Sequence, residues 1–256
     1  ANTYQRGIDL VHVPTTTTAM IDSSVGGKTG LNYSNQVNLI GTYHNPKAIF
    51  MDLEFLLTLN IRDYNSGICE AIKMSITADS LMYSKFLEIS ENLNIRDLNS
   101  LGEIIYWSVM TKLRFVRDDP NEKSIRLLLN YGHTFGQAIE TYYGLYQDIL
   151  RHGEAIALGI LVAARLSFLL NENNNTQALF DLTNLVLQKY ELPRSFRHLN
   201  TKDIPSKDIL FSYLLNDKKR LSQGNRFILC DKLGTANIRI IKDDQLIIDS
   251  FGVLYR

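Results

Sequence analysis

Residues 22–30, Asp22-Ser23-Ser24-Val25-Gly26-Gly27-Lys28-Thr29-Gly30, combine two adjacent glycines with a lysine and a threonine. Backbone amides freed by glycine, together with one ammonium, suit a phosphate cradle. A nucleotide P-loop, G-x-x-x-x-G-K-[ST], fails here because Asp22 stands where its first glycine belongs and no apolar strand runs directly into the loop. Phosphate binding and a plain flexible turn are the two readings this segment leaves open. A second group lies in residues 129–140 and 151–155, where His133 and His152 each sit beside a glycine in apolar, helix-like surroundings. One such histidine is most often a satisfied core residue. Two of them, with Glu70 in an apolar helical stretch where an unpaired carboxylate would be costly, make a three-ligand zinc site with one position left open for substrate. No short H-x-x-x-H motif is present, so spacing alone leaves the core and ligand readings side by side. A third group, Lys112, Arg126 and Asn130 before His133 and Asp217-Lys218-Lys219-Arg220 further on, reads singly as solvated helix faces. Taken with Lys28, it suits a small anionic substrate held by charge-assisted hydrogen bonds.

The elements that position these groups follow from hydrophobic periodicity. Residues 8–13 and 47–52 are short apolar runs that predict buried strands, with residues 15–38 between them as a loop rich in Thr, Ser and Gly. From about residue 53 to 190, apolar residues recur at three- and four-residue spacing, as in Leu101, Ile104, Ile105 and Val109, which predicts helices. Residues 171–176 predict a polar helix-to-helix turn, and residues 227–230, 238–241 and 246–248 predict short strands. The fold class is therefore an α/β remnant plus a mostly α-helical domain, divided as residues 1–58 and 59–256. Two strands cannot make a stable sheet alone, and the chain starts, without Met, like the middle of a domain. A fragment is the expectation.

The composition narrows the classes further. The chain has 256 residues, room for one large domain or one domain plus part of another. Its formal net charge of zero, from 27 basic and 27 acidic residues, argues against nucleic acid as the main partner. Cys69 and Cys230 form no C-x-x-C pair, so a disulfide framework is not expected and a reducing cytoplasm is. No apolar stretch reaches the roughly 20 residues needed to cross a bilayer, so no membrane partner is expected.

In order and spacing, Pro14-Thr15-Thr16 with residues 22–29, residues 67–73, 129–140 and His152-Gly153-Glu154-Ala155 resemble the 3-dehydroquinate synthase family over nearly the whole chain. The resemblance implies a dehydroquinate synthase-like helical domain joined to the last strands of a Rossmann-like NAD-binding domain. It implies NAD and Zn2+ (or Co2+) as cofactors and a phosphorylated sugar acid, 3-deoxy-D-arabino-heptulosonate 7-phosphate, as substrate. Glu70, His133 and His152 become the metal ligands. Catalytic roles fall to Lys28, Lys73, Glu122 and Asp22, and substrate binding to Arg6, Asn38, Lys112, Arg126, Asn130, Gln137, Lys218 and Lys219. Thr15, Thr16, Lys28, Phe55, Leu56, Leu57 and Thr58 match positions that touch NAD. Arg6 matches an arginine reaching the neighbouring subunit's site, which implies a homodimer. Three departures stand out. Gln137 replaces the family's usual His and cannot shuttle a proton. Val37 replaces a Lys that commonly helps hold NAD. The family's Gly-rich dinucleotide motif lies upstream of Ala1, so weak NAD binding by this chain alone is expected. Beside dehydroquinate synthesis stand three other readings: a sibling sugar-phosphate cyclase acting on a substrate such as sedoheptulose 7-phosphate, a metal-dependent polyol dehydrogenase, and an inactive truncated homologue serving as an interaction module. Lys28 and Lys218 count against the dehydrogenase, which needs no phosphate pocket.

Overall fold

The computed structural model describes residues 1–33, 36–144, 148–216, 220–221 and 224–256. Strands β1 (Val11–His12) and β4 (Ala48–Ile49) pair in parallel, Val11 opposite Ala48 and His12 opposite Ile49, where the apolar runs predict them. The stretch between them is not the loop expected over residues 15–38. It holds a π-helical turn, Ala19–Ser23, and an antiparallel pair, β2 (Lys28–Tyr33) with β3 (Gln36–Tyr43), in which Lys28 faces Tyr43. The Thr- and Gly-rich composition hides the pair: Gly30 faces Gly41, and Thr29 and Thr42 bond through their hydroxyls, so ladder bonds replace apolar alternation.

The helical part follows the predicted periodicity. Helices α1 (Ile61–Ala78), α2 (Ser80–Glu88), α3 (Ser90–Asn94) and α4 (Leu98–Asp118) precede α5 (His133–Tyr143), α6 (His152–Leu170), α7 (Asn174–Lys189) and α8 (Lys207–Asn216). Side chains that accept orphan amide protons start four of them: Asn60 from Arg62, Asp79 from Leu81 and Met82, Asp97 from Ser100, and Asn173 from Asn175 and Thr176. A three-stranded antiparallel sheet follows, β5 (Arg220–Leu221), β6 (Gly224–Lys232) and β7 (Thr235–Ile241). Residues 246–248, expected as a strand, lie in a helix, α9 (Asp244–Ser250). Asp243 caps it by accepting from Leu246, and a three-residue apolar run carries too little periodicity to separate the two states.

Helix α6 is apolar nearly all round because it runs through the core, packed by α1, α5, α7 and β6. With 19 residues it is long and apolar enough to cross a membrane, which the reading of the sequence did not expect. Its apolar window is 72% buried within this fold, the ordinary state of a central core helix. Phe135 stacks on Phe227 at 5.0 Å and meets Phe251 edge-on at 5.4 Å, tying α5 to β6 and the carboxy terminus. The buried phenols of Tyr64 and Tyr190 donate to the carbonyls of Leu93 and Phe86, both at 2.7 Å.

The glycine after His152 sets how closely α6 approaches α1. A Cβ on Gly153 would collide with the Ser66 backbone, 2.7 Å from its Cα. Gly153→Ala should therefore cost about 3 kcal/mol of unfolding free energy, at the upper end for overpacking because backbone rather than a side chain must yield. The midpoint of a urea unfolding curve measures this.

Candidate metal and anion site

Glu70 and Lys73 lie one turn apart on α1, 1% and 2% exposed, and Lys73 Nζ is in ion contact with Glu70 Oε2. The other carboxylate oxygen, Oε1, is buried without a hydrogen-bond donor. It faces His152 Nε2 at 3.6 Å and His133 Nε2 at 3.8 Å. Those two histidines open α6 and α5, so two helix starts and the middle of α1 converge on one point. Each imidazole is held from behind: His133 Nδ1 lies 3.3 Å from the Tyr131 carbonyl, and His152 Nδ1 lies 3.3 Å from both Glu140 carboxylate oxygens. Donation from Nδ1 leaves the Nε2 lone pairs aimed at Glu70, the tautomer a metal requires. Burial holds His133 well below the usual imidazole range, with the Lys73 charge adding to it. Burial would lower His152 too, but the Glu140 hydrogen bond and the Glu70 charge outweigh it and raise its pKa.

The three ligand atoms lie within 4.8 Å of one another. Bonds of zinc length place tetrahedral ligands about 3.4 Å apart. Two imidazole nitrogens and one donor-free carboxylate oxygen therefore fit a borderline divalent ion such as zinc or cobalt with little rearrangement.

Beside this triad is a network of alternating charge. Asp22, in the π-helical turn packed on α1 and α4, accepts from Lys112 Nζ at 2.8 Å through Oδ1, and Lys112 also donates to the Asp22 carbonyl. Burial would raise the Asp22 carboxyl, but the charges of Lys112 and Lys73 outweigh it and hold the group well below the usual carboxylate range. Burial would lower Lys73, yet the Glu70 and Asp22 charges prevail and raise it, so it stays an ammonium. Lys28, at the start of β2, is in ion contact with Glu122, whose Oε1 accepts from Asn130 Nδ2 at 2.6 Å. Arg126 lies 3.8 Å from Glu122 and donates to the carbonyls of Pro120 (2.8 Å) and Gly26 (2.9 Å). That docking gives Gly26 a reason other than a phosphate cradle: a Cβ there, φ 98°, would stand 2.5 Å from Arg126 Nη2.

The structure thus joins Asp22, Lys28, Glu70, Lys73, Lys112, Glu122, Arg126, Asn130, His133 and His152. Gln137 sits on α5 one turn beyond His133, half-buried. Arg6 is exposed on the amino-terminal turn, and no described contact joins it to the cluster. The Leu56 side chain is fully buried in the core and its carbonyl accepts from Arg96 at 2.9 Å. Phe55 and Leu57 are exposed, while Thr16 Oγ1 accepts from the Ala19 amide at 3.2 Å. The Asn38 side chain and Lys218 and Lys219 lie outside the described residues.

Two contributors escaped the sequence reading. Glu140 falls two helical turns after His133, a spacing that could have marked it. Asp119 shapes the loop carrying Glu122 and Arg126 by accepting from the amides of Lys123, Ser124 and Arg126 at 2.9, 2.7 and 3.1 Å. Asp119-Pro120 closing α4 is its turn signal.

The sequence families described as 3-dehydroquinate synthase N-terminal and 3-dehydroquinate synthase C-terminal match residues 1–66 and 67–220, end to end. The chain belongs to the 3-dehydroquinate synthase family. The 3-dehydroquinate synthase of Campylobacter concisus (strain 13826) is 39% identical over 248 residues, covering 96% of this chain and 68% of that protein. This chain therefore spans about two thirds of the length of that family member. Among solved structures, 2-deoxy-scyllo-inosose synthase complexed with carbaglucose-6-phosphate, NAD+ and Co2+ aligns with a TM-score of 0.79 at 27% identity, over 98% of this chain and 68% of that one. The fold is also shared with 2-epi-5-epi-valiolone synthase from Streptomyces hygroscopicus subsp. jinggangensis 5008, solved with NAD+ and Zn2+. There the TM-score is 0.86 at 23% identity, over 99% of this chain and 68% of that one.

Burial, with the Arg126 and Lys112 charges, pushes Lys28 down to about 8, while the Asp22 charge pulls the other way. Because the folded value lies below the ordinary 10.5, Lys28 opposes folding below about pH 8, and the penalty lifts as pH rises from there toward 10.5. An NMR titration of Lys28 Cε should show a midpoint near 8, lower still in Glu122→Gln; a midpoint at 10.5 would contradict the burial argument.

Proposed function

We propose that this chain carries the metal and substrate site of an enzyme converting 3-deoxy-D-arabino-heptulosonate 7-phosphate to 3-dehydroquinate with loss of phosphate, a step of aromatic amino acid biosynthesis. The observation that carries the reading is the buried, donor-free Glu70 Oε1 facing two Nε2 atoms at 3.6 and 3.8 Å, beside a cluster of cations. When bound, NAD and zinc (or cobalt) supply a hydride acceptor and a Lewis acid for the substrate alcohol. Glu70, His133 and His152 would hold the metal.

The chain's own residues then bind, orient and hold protons. Lys112 and Arg126 suit the substrate carboxylate. Arg126 keeps one N–H on each terminal nitrogen beyond its bonds to Pro120 and Gly26. Lys28 and Asn130 suit the phosphate, as do Asn38, Lys218 and Lys219 by the family pattern. Lys28 Nζ, with a pKa near 8, carries charge at neutral pH and releases its proton more readily than an ordinary lysine. Lys73 and Asp22 hold fixed opposite charges at the reacting centre, which cost no reorganisation during reaction. Gln137 can donate and accept a hydrogen bond but moves no proton. Thr15, Thr16, Lys28, Phe55, Leu56, Leu57 and Thr58 are the positions proposed for NAD, residues 1–58 belonging to its domain and 59–256 to the metal and substrate domain. A homodimer, with Arg6 crossing to the neighbouring site, and a cytoplasmic location complete the reading. Buried, unpaired Cys69 and Cys230 agree with a reducing compartment.

The sibling-cyclase reading keeps a specific support: Gln137, and the fold shared with 2-deoxy-scyllo-inosose synthase. Phosphate release, measured at the full length of the relatives with NAD+ and Zn2+, separates the two. Turnover of the heptulosonate phosphate alone is expected. Turnover of sedoheptulose 7-phosphate alone would move the protein to the sibling cyclases, and silence on both would overturn the enzymatic reading. In His133→Ala, bound zinc should fall from about one ion per chain to near none by atomic emission, because two ligands hold zinc far less tightly than three.

A further inference from the structure

Arg62, Ser66 and Glu70 recur every four residues and so share one face of α1. Three successive residues at the start of α6 each meet one of these positions. Arg62 Nε and Nη2 donate to Glu154 Oε1 and Oε2 at 2.6 and 2.7 Å. The Gly153 amide donates to Ser66 Oγ at 2.8 Å. His152 Nε2 stands 3.6 Å from Glu70 Oε1. Alongside, Arg151 Nε donates to Asp63 Oδ1 at 2.6 Å, and Arg62 Nη1 donates to the Asp148 carbonyl at 3.0 Å, holding the approach to the helix.

We propose that the Arg62–Glu154 fork and the Ser66–Gly153 bond form a positioning clamp that sets the His152–Glu70 separation and with it the metal affinity of the site. The proposal rests on the metal reading given above. The physical need is specific. His152 is the first residue of α6, where amides have no intrahelical partner and helices fray. A metal site tolerates only about 0.2 Å of error in its ligand distances. Glu140 orients the His152 ring through Nδ1, but it does not fix the backbone that carries the ring. The clamp does so twice: Ser66 takes up the orphan Gly153 amide, and Glu154 accepts both from Arg62 and from the Arg151 amide, at 2.8 Å. Both anchors lie on the same rigid helix as Glu70, so the restraint acts directly on the distance between two ligands.

The test uses Co2+ as the probe metal. In Arg62→Met, folded by circular dichroism, Co2+ affinity measured by chelator competition should fall roughly tenfold to hundredfold, as for loss of an outer-shell partner. The visible absorption of bound Co2+ should change, and the Gly153 amide should exchange faster in the metal-free protein. Arg62→Lys, able to make one of the two bonds, should recover part of the affinity. A merely structural pair would lower stability while leaving the Co2+ dissociation constant and spectrum of the folded variant as in the parent; that result overturns the proposal. Should Arg62→Met fail to fold, Ser66→Ala takes its place with the same expected direction and the same overturning result. Failure of the parent chain to bind Co2+ overturns the metal reading and the clamp with it. Equal binding by parent and variants overturns the clamp alone.

Discussion

Glu70 places a carboxylate at a position only 1% exposed, and much of the surrounding structure answers the cost of that charge. An ionised carboxylate taken out of water must be paired, hydrogen-bonded or metal-bound. Lys73 satisfies one oxygen. The other is left facing two imidazole nitrogens, a donor set suited to a divalent cation. Two segments far apart in sequence must be brought to it, and the packing of α6 on α1 and of α5 on α6 serves that end. Breaking such a buried pair by deleting one partner typically costs about 3–5 kcal/mol, so the site and the stability of the core cannot be varied independently.

The same principle extends outward as alternation of sign. Lys73 lies between Glu70 and Asp22, Asp22 between Lys73 and Lys112, and Glu122 among Lys28, Arg126 and Asn130. Asp22 and Lys73 are held in their ionised forms by neighbours of opposite sign, against the pull of burial. The arrangement is therefore organised before any anion arrives. For a flexible substrate bearing both carboxylate and phosphate, fixed charges of this kind provide positioning and electrostatic stabilisation without reorganisation at the moment of reaction. Lys28 differs from the rest, half-exposed with its pKa depressed, and is the one cation of the group suited to giving up a proton near neutral pH.

Backbone constraints make the arrangement possible. Gly153 admits the α1–α6 contact, and Gly26 leaves room for the Arg126 guanidinium. Glu122 adopts a left-handed backbone, φ 53°, unusual for a residue with a side chain. It is over-determined by its bonds to Asn130 and Lys28 and by the Asp119 turn, the situation in which strained positions persist at functional sites.

The sequence alone determined the residue types that carry the chemistry and the helical periodicity that surrounds them. Glu70, His133 and His152 stood out as a carboxylate and two histidines in apolar helical stretches; spacing left the core and ligand readings side by side, and the family resemblance chose the ligand one. The β2–β3 pair and the α9 helix did not stand out, because Thr- and Gly-rich strands lack alternation and a three-residue apolar run fits either state. That the Leu56 side chain lies in the core while Phe55 and Leu57 are exposed was not legible either, since only packing decides which side of a short turn faces inward. The tertiary structure alone decided which residues pair: Arg62 with Glu154, Ser66 with Gly153, Asp22 with Lys112, His152 with Glu140. The first three of these pairs join residues 87 to 92 positions apart and 90 apart. Local propensity carries no information about contacts of that range; the burial of α6 against α1 creates the first two, and the packing of the Ala19–Ser23 turn on α4 creates the third.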